Sequence, residues 1–211
     1  MYERREKYEN LDLTYFCKPC GAYDIPELSP VHISECPELI DFNAAVSASN
    51  PNGRGVHFFI DDYRFVRVWN NPTRYVPLLS KFSLVFTPDF SLYTDYPRAM
   101  QIYNHYRKHA LGAYWQSEGL TVVPTICWSD EDSFEWCFDG EPKGGTVAVS
   151  SVGTQASKES KAKFLAGYNQ MLDRLYPENI IFNGNVPDEC GGNIIRVRAF
   201  QEKFRDRLTG N

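Results

Sequence analysis

Between residues 56 and 195 the chain repeats one pattern: a short, almost uninterrupted apolar run, a polar or acidic residue closing it, then a stretch of helical periodicity or a loop. The runs are Val56–Ile60, Phe82–Thr87, Thr121–Trp128, Thr146–Ser150 and Ile180–Phe182, with a sixth at Asn193–Ile195. Strands with one face in water alternate polar and apolar residues, whereas runs without alternation read as strands covered on both faces. Strands that alternate with helices pair in parallel through crossovers. Spacings of roughly 25–37 residues leave room for one helix or long loop per crossover. The expected fold is therefore α/β, with five or six mainly parallel strands, as an open sheet or an incomplete, half TIM-like barrel. Pro124 interrupts the third run, and its missing N–H predicts an edge, bulge or break there.

The helices carry their own signals. Asn71-Pro72 opens a short one, with proline where its missing N–H does no harm. Pro97 opens another, reaching about Trp115, with Met100, Tyr103, Tyr106 and Ala110 at helical spacing. A third begins near Ser157, is expected to bury Phe164, Leu165, Tyr168, Met171, Leu172 and Leu175, and stops before Pro177. A last amphipathic helix is expected over about Val197 to Leu208, its basic residues reading as a solvated face. Residues 1–54 carry Pro19, Pro26, Pro30, Pro37 and Pro51 and read as an irregular N-terminal segment, with one short helix around Pro37 to Ala48. The division expected is thus 1–54, irregular and Pro-rich, and 55–211, the α/β domain.

Charge narrows the function classes. With 22 basic and 27 acidic residues in 211, a net charge of −5, the chain lacks a broad basic footprint, which disfavours nucleic acid as a partner. No apolar run approaches the roughly 18 residues of a membrane span, and the first residues lack a secretory apolar stretch, so the expected compartment is the cytoplasm. Aromatic residues, 15% of the chain, are expected to build a thick core. Cys17-Lys18-Pro19-Cys20 has the spacing of half a zinc site, but no second close pair exists; Cys36, Cys190 or His32 would have to complete it through folding. Structural zinc is disfavoured on that ground, and the cysteines are expected as thiols. His105 and His109 stand four apart but fall among polar neighbours, Arg107 and Lys108, without an evident acidic third ligand, and read as surface residues.

Parallel sheets bind ligands at the carboxyl ends of their strands, and barrels do the same. That rule selects Asp61, Asp62, Asp89 and Asp130 as candidate catalytic or cation-binding carboxylates, and Trp128, Ser150, Thr154 and Asn183 as candidate binding residues. Carboxylates converging from different strands can hold a divalent cation or divide acid and base roles; aspartate after a strand is also a common helix cap. Walker, dinucleotide-binding and nucleophile-elbow motifs are absent.

Longer strings point to a family. Val56-His57-Phe58-Phe59-Ile60-Asp61-Asp62-Tyr63, Trp69-Asn70-Asn71-Pro72 and Pro88-Asp89-Phe90-Ser91-Leu92-Tyr93 resemble the core of domain-of-unknown-function family 4417. The likeness continues through Gly112-Ala113-Tyr114-Trp115-Gln116, Trp128-Ser129-Asp130, Cys137-Phe138-Asp139-Gly140 and Val147-Ala148-Val149-Ser150, over roughly residues 37–185. The resemblance implies an origin in bacteria, archaea or their phages, often in mobile elements, and no established activity. Two readings follow: an enzyme or sensor for a small polar or phosphorylated ligand, with or without a divalent cation; or a non-catalytic mobile-element protein that binds a host or defence protein through an aromatic surface.

Overall fold

In the computed structural model, which describes residues 8–197, the parallel core begins earlier than the apolar runs suggest. A short antiparallel hairpin, β1 (Pro19–Cys20) with β2 (Ile25–Pro26), comes first. β3 (Glu38–Asp41), β4 (Arg54–His57), β5 (Leu84–Phe86) and β6 (Val122–Val123) then form a parallel sheet in that order. Ile40, Val56, Val85 and Val122 lie side by side across it. β7 (Thr146–Ser150), β8 (Asn179–Asn183) and β9 (Ile194–Val197) form a second parallel sheet. A parallel bridge between Thr125 and Ala148 joins the two, so seven strands follow one another in chain order.

β3 is the strand the sequence does not announce. It has four residues, of which only Leu39 is buried, too few to show a period. The helix expected from Pro37 starts at Phe42 instead: α1 (Phe42–Val46) is capped by Asp41, whose carboxylate accepts from Ala44 N at 3.0 Å. The crossover from β4 to β5 holds α2 (Asp62–Phe65), α3 (Arg67–Asn70) and α4 (Pro72–Leu79), and α5 (Arg98–Ser117) links β5 to β6. α6 (Lys158–Leu175) links β7 to β8, with Ser157 and Ser160 in a reciprocal cap. The helix expected after Val197 lies outside the described residues.

Both faces of the curved sheet are covered, as uninterrupted apolar strands require. Val56, Val85 and Val122 pack outward with Phe42, Phe58, Phe65 and Trp115. Val147, Val149, Ile180 and Phe182 pack outward on Phe164, Tyr168, Met171 and Leu175 of α6. The opposite face gathers Leu39, Leu84, Phe86, Val123, Ala148 and Ile181 with Ile195 and Val197, together with Val31, Ile33 and Cys36 from the segment before β3. That segment also reports the curvature. Ile33 O accepts from the Asn179 side chain at the start of β8, yet five residues later the chain enters β3. Five residues reach at most about 18 Å, whereas five flat interstrand steps need about 24 Å. The sheet therefore curls into an incomplete barrel, open between β3 and β9 among the described residues.

Pro124 is where the strand changes partner. β6 pairs with β5 before it, and its own carbonyl accepts from Ala148 N of β7 at 2.8 Å. The ladder to β5 is completed by a side chain: Thr87 Oγ1 accepts from Thr125 N at 2.8 Å, and Thr125 Oγ1 donates to Thr87 O at 3.0 Å. Thr87→Val keeps the shape and strands the buried Thr125 N–H. Urea unfolding is expected to show a loss of about 1–3 kcal/mol; an unchanged midpoint would mean that the side chain does not carry the break.

Candidate functional site

All seven parallel strands point the same way, so their carboxyl ends open on one side of the barrel. A cavity of about 570 Å³ lies there, lined by Asp41 at the end of β3, His57 at the end of β4, Asp89 after β5, Trp128 after β6, Ser150 of β7 and Asn183 of β8. Six of the seven strands thus deliver a residue to it. Asp61 and Arg64 line it too, ion-paired at 3.4 Å and exposed at the rim. Asn183 Nδ2 donates to Ser150 Oγ at 3.0 Å, and Phe59 N donates to His57 Nδ1 at 3.2 Å, which leaves the His57 proton on Nε2. The Trp128 ring is seated on α6 at Gly167, where a methyl group would sit within 2.4 Å of it.

Asp61, Asp89, Trp128, Ser150 and Asn183, singled out by the strand-end rule, are brought together in this cavity. Thr154 lines an adjoining cavity of about 660 Å³ that shares Asp89, Trp128 and Ser150 with the first. Asp62 and Asp130 line neither. Asp62 accepts from Ser91 N and, at 2.8 Å, from Ser91 Oγ, bracing the loop that carries Asp89. Asp130 caps the 3-10 helix Glu131–Glu135 through Ser133 N and pairs with Arg98 at 3.2 Å. Asp41, His57 and Arg64 were not singled out. Asp41 ends a strand too short to recognise, and His57 lies inside the apolar run Val56–Ile60 rather than at its end.

Asp89 is the electrostatic centre of the cavity. Desolvation raises its carboxyl from 3.8 to about 7, Asp62 adds to the rise, and Lys108 and a hydrogen bond from the Cys127 thiol oppose it. Burial likewise pushes the Cys127 thiol well up, so it stays protonated.

Lys108 belongs to a second polar cluster, on the inner side of α5. Its Nζ donates to Thr125 O at 2.9 Å and to Glu141 Oε1 at 2.6 Å. Glu141 Oε1 also meets His109 Nε2 at 3.0 Å, and His109 Nδ1 donates to Pro26 O at 2.9 Å. His105 Nε2 donates to Asp139 O at 3.0 Å. His105, Lys108 and His109 are each 1% exposed or less. Their expected surface position is thus corrected: α5 is covered on this side by β2 and the loop through Glu141, so its polar residues face protein. Burial alone would discharge both Lys108 and Glu141, but each holds the other's charge, keeping Glu141 below and Lys108 above their ordinary values. Desolvation, with Lys108 and His109 beside it, keeps His105 neutral. Among the described residues, Cys17 and Cys20 gather no third metal ligand.

An open parallel α/β barrel with an acidic cavity at its strand ends is the class these features define. Residues 18–201 match the family described as Domain of unknown function (DUF4417), and the chain belongs to it. The match spans the whole described sheet and both polar clusters, and includes Cys20 but not Cys17. The "Gene 1 protein" of Mycobacterium phage D29 is 42% identical over 187 residues, 85% of this chain and 67% of that protein. The "Gene 1 protein" of Mycobacterium phage L5 is 39% identical over 187 residues, covering 85% and 79%. No solved structure matches. Among the described residues no helix is long and apolar enough to cross a membrane.

A carboxyl raised in the folded state binds a proton that the unfolded chain has already released. Asp89 therefore lowers stability progressively as pH rises from about 4 to its folded value of about 7, and above that the penalty is constant. Asp89→Asn is expected to stabilise the protein at pH 8, on the order of 2 kcal/mol once access to the cavity is discounted, and hardly at all at pH 4. Urea unfolding at both pH values checks this; an equal effect at both would show that Asp89 titrates normally.

Proposed function

We propose that the cavity binds a small polar, phosphorylated ligand together with a divalent cation, and that Asp89 exchanges a proton with it. The observation that carries this reading is the convergence of six strand ends on one cavity around a carboxyl held at about 7. A group that titrates near neutrality can both accept and give up a proton at working pH, which favours an enzyme over a passive sensor. Asp41, Asp61 and Asp89 line the cavity without forming a ready three-carboxylate cluster, which suits magnesium or manganese held by one or two carboxylates and completed by phosphate oxygens and water. Arg64 and His57 supply the complementary positive and donor groups. Six free thiols among the described residues are in keeping with action in the cytoplasm.

Calorimetric titration with manganese, alone and with inorganic phosphate, tests the reading. A saturable signal in the wild type, lost in Asp89→Asn and reduced at least tenfold in Asp61→Asn, is expected. A folded wild type that binds neither overturns it. That outcome leaves the second reading, a mobile-element protein that docks on a host or defence protein, which the 72% exposed Tyr63 and 58% exposed Tyr93 near the cavity mouth favour.

A further inference from the structure

We propose that His105, His109 and Glu141 form a buried centre for one transition-metal dication of the zinc class. The site is separate from the strand-end cavity and does not rest on its reading. α5 places the two histidines one turn apart, with ring centroids 4.4 Å from each other, and the loop before β7 brings Glu141 to them. One ligand atom from each of the three lies within 4.8 Å of the others.

The second observation is independent of that proximity. His105 Nδ1 and Glu141 Oε2 are both buried and neither has a hydrogen-bond partner. A buried polar atom left unmatched is expensive, and two of them in one cluster of potential ligands point to a missing electrophile between them. The remaining nitrogens are already committed in the manner of metal-bound imidazoles. His105 Nε2 donates to Asp139 O and His109 Nδ1 donates to Pro26 O. Such outer hydrogen bonds fix the tautomer and present the opposite nitrogen to an ion.

Between His109 Nε2 and Glu141 Oε1 one proton is held, because Pro26 O already takes the Nδ1 proton. A dication entering the cluster displaces that proton to solvent, binds His105 Nδ1, His109 Nε2 and Glu141 Oε2, and leaves Oε1 to Lys108. Two imidazoles and one carboxylate suit zinc or cobalt, whereas magnesium and calcium prefer all-oxygen sets. The Lys108 ammonium, 2.6 Å from Glu141 Oε1, repels any dication, so the binding has to come from the two imidazoles. Three protein ligands leave a fourth position for water. A surface cavity of about 580 Å³ lies against the loop of Asp139, Gly140 and Glu141, next to the cluster.

The full chain is incubated with zinc, desalted and analysed for metal, with circular dichroism as the fold control. Near-stoichiometric zinc in the wild type, falling at least tenfold in His105→Gln and Glu141→Gln, is expected. Zinc should persist in Asp89→Asn, which separates this centre from the strand-end cavity, and in a Cys17→Ser/Cys20→Ser double variant. No zinc on a folded wild type, undiminished zinc on a folded His105→Gln, or loss with the cysteine variant would each overturn the assignment. Cobalt titration of the wild type decides the matter if the histidine variants fail to fold. Visible ligand-field bands without a thiolate charge-transfer band support the site; thiolate bands, or none at all, refute it.

Discussion

The buried ion pair between Lys108 and Glu141 is the contact on which the rest of the structure converges. Lys108 reaches from α5 to the carbonyl of Thr125, just past the proline that breaks β6, at the junction of the two sheets. Glu141 holds the loop that leads into β7, and through His109 the same cluster fastens the N-terminal hairpin at Pro26. Helix, sheet junction, loop and hairpin therefore meet at one pair of charges. A buried pair adds little net stability over a well-packed apolar substitute, because both ions lose their water. Its physical effect is selective: with either partner gone, the other is left charged and without water. Pairings that separate the two are penalised.

The same pair reaches the strand-end cavity. Lys108 is the positive charge that works against desolvation at Asp89, so the ammonium that ties the junction also limits how far that carboxyl rises. Fold and site are coupled by this geometry. Consecutive parallel strands put every carboxyl end on one side, the curl brings them around a common space, and α5 projects its lysine beneath them. Asp62 and Asn104 both grip Ser91 and so hold the loop after Asp89 in place, and the Asp62 charge also helps to raise the Asp89 carboxyl.

Much of this was legible in the residues. The unbroken apolar runs predict parallel strands covered on both faces, and six of the seven strands lie at those runs, with helices opening at Pro72, next to Pro97 and after Ser157. The strand-end rule then selects Asp61, Asp89, Trp128, Ser150 and Asn183 without any motif. β3 was not legible because four residues with one buried side chain carry no period, and Asp41 was lost with it. Asp62 and Asp130 could not be separated from Asp89 by sequence, because aspartate after a strand caps and ligates equally well. The cluster on α5 defeats sequence reasoning for a definite reason. Polar residues on a helix are assigned to water, yet β2 and the loop through Glu141 cover that side. His105, Lys108 and His109 at intervals of three and four share a face, and that was the signal available.

The coupling of Lys108 to Glu141 can be measured directly by a double-mutant cycle, using urea unfolding in the presence of a chelator so that metal plays no part. Lys108→Met and Glu141→Gln should each lose about 3–5 kcal/mol, because each leaves a buried polar partner unmatched. The double variant should lose much less than the sum of the two. Additive losses, or single variants close to wild type, would contradict the view that this pair holds the fold together.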